Sequence, residues 1–382
     1  MTKRKLVLQL CTCILLVLVL SGCWDYRRLD QTATVIGFAI DPDDGHSFQI
    51  TFQIPSMPGV LSGGTSDPSS ESTEPPTTIN IKVKSDTMGS AIAKAQEHLD
   101  RTLFFGNLQS IVLNEELTSD QTKEILTEVF RNSRIPNTAS LFITPDSAEG
   151  ILTSPEITDE PVSIFLRSRV RDVKTSGFER PIPLWVFFRD VYGYGISEVL
   201  PLVNLDQSKK LIFSGISVFN KYTWKGDLIE DEARGYSWGV SKVQKMQMVV
   251  QDSDHPTGVE VVRNHAHLSY RKINGRYQLY MVIKAEGNIV QNPTEGDQVI
   301  TPQVLNRIQE ETQKRIKEEV FSTFKKVQGW KVDPYGFGRL VMLHDSQLFR
   351  NDQLFTRWDD VFSDSDLHVT VNFKITGKGE LT

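Results

Sequence analysis

All three cysteines of this 382-residue chain, Cys11, Cys13 and Cys23, lie within its first 23 residues, and the rest of the chain has none. Nothing after Cys23 can be stapled by an internal disulfide or held by a cysteine-ligated zinc. The body must stand on ordinary hydrophobic cores, which its length allows. Its 39% apolar and 24% charged composition is that of a globular protein. At roughly 100–200 residues per domain, two or three domains fit.

The segment that carries the cysteines has its own logic. Lys3, Arg4 and Lys5 precede an apolar run from Leu6 to Leu20, broken by Gln9 and Thr12 and closed by Ser21-Gly22-Cys23. The run is short for a membrane-spanning helix, which needs about 20 residues, and right for the apolar core of an export signal. Leu20 to Cys23 resembles the lipobox of bacterial lipoproteins. Small residues at 21 and 22 let an extended chain enter a signal peptidase, and the Cys23 thiolate can take a diacylglycerol. Cleavage after Gly22 would leave the Cys23 amine open to a further acyl chain. Two or three chains anchor firmly where one is marginal. The expectation is a cleaved signal over 1–22 and a lipid-bearing Cys23 that tethers the body to the outer face of a membrane.

The whole chain carries −6, and removing the three basic residues of 1–22 leaves −6 − 3 = −9. An acidic body lacks the basic face that phosphate neutralisation needs, which argues against nucleic acid as a partner. It argues equally against electrostatic adsorption on anionic lipid.

Beyond the anchor, the pattern predicts an α+β protein. "TATVIGFAI" (32–40) and "HSFQITFQI" (46–54) flank the turn composition "DPDDG" and predict a hairpin. A stretch rich in Pro, Gly, Ser and Thr (55–78) predicts a mobile excursion. Strands are predicted at 78–85, 110–113 and 138–144. Helices are predicted after Asp86 as N-cap, over 120–131, and over 160–174 and 183–192. The polar break at Gln207–Lys210 is the preferred boundary between an N-terminal region (23–206) of mixed α/β character and a C-terminal domain (211–378). In the latter, a meander predicts an antiparallel sheet, with Asn274-Gly275 a tight-turn dipeptide. Thr301-Pro302 opens the strongest helix, which runs to Gln328 with Val304, Ile308, Ile316, Val320, Phe324 and Val327 on one face. A further helical region (335–362) precedes a final strand at 367–376. Long amphipathic helices are expected to pack on the sheet.

Motifs for chemistry are sparse. His265 and His267 share one strand face without a third ligand in reach, so no metal is assigned. Asp41 to Gly45 lacks the spacing of a calcium loop and reads as a turn. Gly193 to Glu198, "GYGISE", is not a dinucleotide fingerprint. The pairs Glu310-Glu311 and Glu318-Glu319 read as the solvated face of the long helix. No nucleophile, base and oxyanion donor assemble. The reading is a non-enzyme without cofactor.

Several stretches, in order, resemble the Ger(x)C family of spore germination lipoproteins. They are "GCWDYRRL" (22–29), "VIGFAID" (35–41), "NLQSIVLNEEL" (107–117), "FRNSRIPNTASLFIT" (130–144), "GISVFNKYTWKGDLIEDEARGYSW" (215–238), "EGNIV" (286–290) and "DPYGFGRLV" (333–341). Trp358 and Phe362 stand near the end. Arg28 stands where the family pattern has Glu. The resemblance implies an α+β C subunit of a nutrient germinant receptor in the spore inner membrane, acting with an A and a B membrane subunit. It carries a chemical role to Cys23 alone. Trp24, Asp25, Arg234, Gly235, Gly287 and Asn288 match family positions and are expected to be structural, with Arg234-Gly235 in a cap or turn and Gly287 at a bulge. The rival expectation is a lipoprotein solute-binding protein, two α/β lobes about a cleft, presenting a ligand to a permease; the meander after residue 211 disfavours it.

Overall fold

A computed structural model describes residues 12, 31–56, 77–155, 160–172, 181–241, 243, 245–252, 255–291 and 301–377. Cys23, Trp24, Asp25 and nearly all of the Pro/Gly/Ser-rich stretch lie outside the described residues.

The N-terminal region runs β1 (Thr32–Thr34), β2 (Gly37–Pro42), β3 (Phe48–Pro55), β4 (Thr78–Ser85), α1 (Met88–Glu97), β5 (Thr102–Phe104), β6 (Ser110–Asn114) and α2 (Ser119–Arg131). It continues through β7 (Ser140–Thr144), α3 (Ala148–Leu152), α4 (Val162–Asp172), α5 (Leu184–Val191) and β8 (Val199–Leu205). β1 and β5 form a short parallel pair. The other strands join β9 (Leu211–Asn220) and β10 (Thr223–Ile229) in one sheet of order β10-β9-β8-β7-β6-β2-β3-β4. Its centre, β8-β7-β6-β2, is parallel, and an antiparallel hairpin or meander flanks it on each side.

Parallel strands are covered on both faces, and the side-chain period of two sorts the residues. Phe38, Ile40, Ile111, Leu113, Leu141 and Ile143 face one core with α1, α2 and α5. Ala39, Val112 and Phe142 face a smaller one with α3 and α4. Polar side chains on the strands pin that second layer. The buried Asp41 carboxylate accepts from the Ala148 and Glu149 amides at 2.6 and 2.8 Å, capping α3. Gln53 accepts from the Ser163 amide at 3.1 Å and donates to the Leu152 carbonyl at 2.8 Å.

One expectation changes. The N-cap of α1 is Thr87 rather than Asp86: Thr87 is extended, and its hydroxyl accepts from the Ser90 amide. The polar break at 207–210 is a tight reversal inside the sheet. The Asp206 carboxylate accepts from the Ser208 and Lys210 amides, both at 2.8 Å, and β9 returns antiparallel to β8. The sheet therefore runs on across the expected boundary.

After β10 come α6 (Asp231–Gly239), β11 (Met246–Asp252), β12 (His255–Ile273), β13 (Arg276–Gln291) and α7 (Pro302–Gly329). α8 (Phe337–His344), α9 (Ser346–Asn351), α10 (Leu354–Ser363) and β14 (Asp366–Gly377) follow. β11, β12 and β13 pair antiparallel. Asn274 and Gly275 both take positive φ, 50° and 81°, at the turn between β12 and β13. β14 joins β13 in parallel, the connection that a crossover helix permits. α7 supplies the crossover. Thr301 caps it and Pro302 opens it, and over 28 residues it is about 42 Å long. The expected helical region at 335–362 divides into α8, α9 and α10, where Asp345 caps one helix and Gln353 turns left-handed before the next.

Replacing Asp41 with Ala strands the Ala148 and Glu149 amides beneath α3. The expected cost is about 1–3 kcal/mol of stability, read as a lower urea midpoint with unchanged slope.

Candidate functional site

The helix that resumes the chain after β10 meets the long helix with almost no gap. A Cβ on Gly235 would lie 2.1 Å from Thr323 Oγ1 and 2.3 Å from the Glu319 carbonyl oxygen. Only glycine lets α6 and α7 approach this closely. Arg234 and Gly235 thus sit inside a helix rather than in a cap or turn. The neighbouring Arg234 uses the contact electrostatically. Its guanidinium bonds Glu319 Oε1 at 2.9 Å and reaches Asp231 as well. Arg315 adds a bond to Glu319 Oε1 at 3.1 Å and one to Asp231 at 2.8 Å. The buried Trp238 indole donates to Glu319 Oε2 at 2.9 Å. Both oxygens of a side chain only 2% exposed are therefore occupied. Burial works against the Arg234 charge, but the Glu319 and Asp231 carboxylates outweigh it and hold its pKa above the ordinary value.

Glu319 thus belongs to the buried stripe of α7, not to its solvated face. The spacing carried that signal. Ile308, Thr312, Ile316, Glu319 and Thr323 recur at four, four, three and four, and all five are buried. An acid in such a stripe needs cationic partners, and the chain supplies them at Arg234 and Arg315.

The second constellation forms where α8 meets the N-terminal sheet. Asp333 is buried, and its carboxylate accepts from the Gly336 and Gly338 amides and the Trp358 indole, each at 2.9 Å. Burial pushes its pKa up to about 7, against the pull of those bonds. The Ser197 amide donates to the Asp333 carbonyl, and Ser197 Oγ accepts from the Asp333 amide. Gly195, at φ 64°, lies so close that a Cβ would come 2.3 Å from the Gly338 carbonyl carbon. Arg339 completes the seam with a 2.7 Å bond to Asp190 on α5. "GYGISE" is therefore a docking loop for α8, and Trp358 marks the same place.

Gly287 and Asn288 lie elsewhere, on β13. Val262 bulges from β12 and Thr376 from β14 on either side of Gly287. A Cβ there would meet the Glu260 carbonyl oxygen at 2.5 Å and the Phe373 ring at 2.8 Å. Asn288 Oδ1 accepts from the Thr376 hydroxyl at 3.1 Å. His265 and His267 are exposed, and among the described residues no cluster of three metal-ligating side chains occurs. Of the "DPDDG" segment, Asp41 and Pro42 end β2 and the remaining three residues make the turn, closed by the Asp43 amide on the Ser47 carbonyl oxygen, with Gly45 at φ 71°.

A cleft of about 790 Å³ opens beside the seam, lined by Glu198, the β9–β10 turn, residues 192–197, and α10. Among the described residues, no helix is long and apolar enough to cross a membrane.

Two sequence-family profiles match this chain. "Spore germination protein N-terminal domain" covers residues 25–205, and "Spore germination B3/ GerAC like, C-terminal" covers 214–379. Spore germination protein B3 of Bacillus subtilis is 22% identical over 95% of this chain and 96% of its own length. Spore germination protein KC of the same organism is 24% identical over 86% and 85%. A crystal structure of the GerBC protein superposes with a TM-score of 0.60 at 18% identity, over 89% of this chain and 97% of that one. The second profile begins inside β9, so the seam, the α6–α7 junction and the β13 bulges all involve its segment.

Glu319→Gln removes the charge that two guanidiniums share. Breaking a buried pair from one side is expected to cost about 3–5 kcal/mol. A double-mutant cycle with Arg234→Met should show that the two losses are not additive. Additive losses in urea denaturation would contradict the arrangement described.

Proposed function

From the premise that this chain belongs to the GerAC family of spore germination proteins, whose N- and C-terminal domains it carries in order, we propose that it is the lipid-anchored C subunit of a nutrient germinant receptor. The observation that carries the reading is the pair of family matches covering residues 25–205 and 214–379. The names of the relatives, spore germination proteins B3, KC and A3, point the same way.

In this reading Cys23 carries S-diacylglycerol and an N-acyl chain after cleavage at Gly22. The body stands on the outer face of the spore inner membrane. The sequence supports it with Lys3-Arg4-Lys5, the apolar run and the lipobox. Trp24 to Asp30 are then the first membrane-proximal residues of the mature sequence, ahead of β1 at Thr32. The A and B membrane subunits are the partners, and the subunit works through protein–protein contact rather than catalysis. The two constellations described above fit that role: each locks one element to another, with both oxygens of its buried carboxylate bonded.

Two experiments test the proposal. Mass spectrometry of the membrane-extracted protein is expected to find an acylated Cys23 as the first residue, and Cys23→Ser should move the protein to the soluble fraction. An unmodified, uncleaved N-terminus would refute the anchor. Deletion of the gene with its paralogues in a sporulating host should abolish the response to at least one nutrient germinant while leaving spore formation intact. A germination response equal to wild type for every nutrient would refute the receptor role.

A further inference from the structure

β1 brings the chain into the eight-stranded sheet at one end, and the loops of that end are stitched together around it. The Val35 amide donates to the Phe104 carbonyl oxygen at 2.8 Å. The Gln109 amide donates to Ile36 at 2.7 Å, the Ser140 amide to Gln109 at 2.9 Å, and the Leu184 amide to Ala139 at 2.9 Å. The Ile36 amide donates to Gln53 at 3.0 Å, which brings Ile54 on β3 and its cross-strand partner Ile79 on β4 to the same place. β2, β6 and β7 all begin here and run away from it in parallel. The turn at 43–45 lies at their far end.

Three large apolar side chains are left in water at the entry end. Ile79 is 40% exposed, Phe104 on β5 43%, and Trp185 at the start of α5 47%. The Trp185 amide donates to the Asn137 carbonyl oxygen just before β7, so the three are spread over the five neighbouring strands from β4 to β7, about 19 Å. Single exposed hydrophobics are ordinary; a row of them at the end where the chain enters calls for a cover. The Arg189 guanidinium lies 5.8 Å from the Trp185 ring, an aromatic and a cation side by side as at a membrane interface.

The charges at this end come from several elements. The stretches 32–37, 101–109, 131–140 and 181–185 contain no acid and hold Arg101, Arg131 and Arg134. Arg131 and Arg134 are exposed and in no ion pair among the described residues, and Arg101 lies 3.7 Å from Asp100. Glu97 and Asp100 follow from α1, and Asp67, Glu71 and Glu74 belong to the segment that departs here between Ser56 and Thr77. Charge alone therefore does not select the cover, and the acidic body as a whole gains nothing from anionic lipid. The length of the chain does select it. Thr32 follows Cys23 by 32 − 23 = 9 residues, at most about 30 Å of chain.

We propose that the entry end of the N-terminal sheet rests on the bilayer surface, with Ile79, Phe104 and Trp185 in the headgroup layer and the 43–45 turn directed away from it. The proposal rests on the reading that Cys23 is acylated. A tether this short keeps the end at high effective concentration over the lipid, so a contact too weak to hold a free protein is populated. The exposed rings and the isoleucine supply the apolar part, and Arg131 and Arg134 can extend to lipid phosphates beside them.

The test uses the acylated protein in vesicles of phosphatidylethanolamine and phosphatidylglycerol that contain a doxyl-labelled lipid as quencher. Cleavage after Gly22 leaves Cys23 as the one cysteine and acylation blocks it, so an introduced cysteine alone takes a fluorophore. Labels at Asn107→Cys and Thr138→Cys, exposed at the entry end, are expected to lose emission to the lipid quencher. Labels at Asp44→Cys and Glu116→Cys, exposed at the far end, are expected to keep it. Joint Phe104→Asp and Trp185→Asp substitution, at two exposed positions, should restore emission at 107 and 138 while the protein still floats with the vesicles. Quenching no stronger at the entry end than at the far end, in protein that floats, would overturn the orientation and leave the anchor standing; residues 57–76 covering the face in place of lipid would give that result. Quenching at 107 and 138 that survives the double substitution would overturn the part given to the two rings. Protein that carries no acyl group and fails to float would overturn the anchor and the orientation together.

Discussion

A carboxylate removed from water between two helices sets the plan of the C-terminal half. Glu319 has no solvent to fall back on, so α7 is stable in its place only while Arg234, Arg315 and Trp238 are in theirs. Gly235 makes that possible, because the backbones must almost touch before Arg234 can reach. The geometry fixes rotation and register of α6 against α7 at once. A purely apolar contact could slide by a turn; an ion pair with an indole on its second oxygen has one solution. α6 follows β10 directly, so the same contact ties the eight-stranded sheet to the four-stranded one. Apolar packing completes the link, and one continuous hydrophobic core runs through both sheets.

Much of this was legible locally. The hairpin at β2–β3, the Asn274-Gly275 turn and the Thr301-Pro302 helix start are encoded by short-range chemistry, and the structure has them where the residues predict. What escaped is chemistry whose partners lie far apart in the chain. Glu319 looked solvated because its cations include a residue 85 positions away. Asp41 looked like part of a turn because the amides it caps lie at 148 and 149. Gly195 and Gly338 gave no periodic signal at all; only their mutual approach explains them.

The family motif positions divide by what they do physically. Arg234 and Gly235 join helices, Asp333, Gly338 and Trp358 join a helix to a loop of the other sheet, and Gly287 lets three strands change register at one place. They share a function as closures between elements. Among the described residues, the buried side-chain atoms left without a partner are on Thr51, Glu115, Glu198 and Thr257.

The parallel pairing of β14 with β13 has a consequence for how the chain acquires its structure. An antiparallel neighbour can zip from a turn, but β14 must wait for α7 and the three short helices after it before it can dock. A chain emerging N-terminus first would hold β13 with one hydrogen-bonding edge open throughout that interval, in a segment with no cysteine to staple it meanwhile. Late closure of this kind slows folding and exposes a strand edge to other chains. The second half of the molecule therefore has a vulnerable period between synthesis of β13 and arrival of β14, during which another chain would find an unfinished sheet.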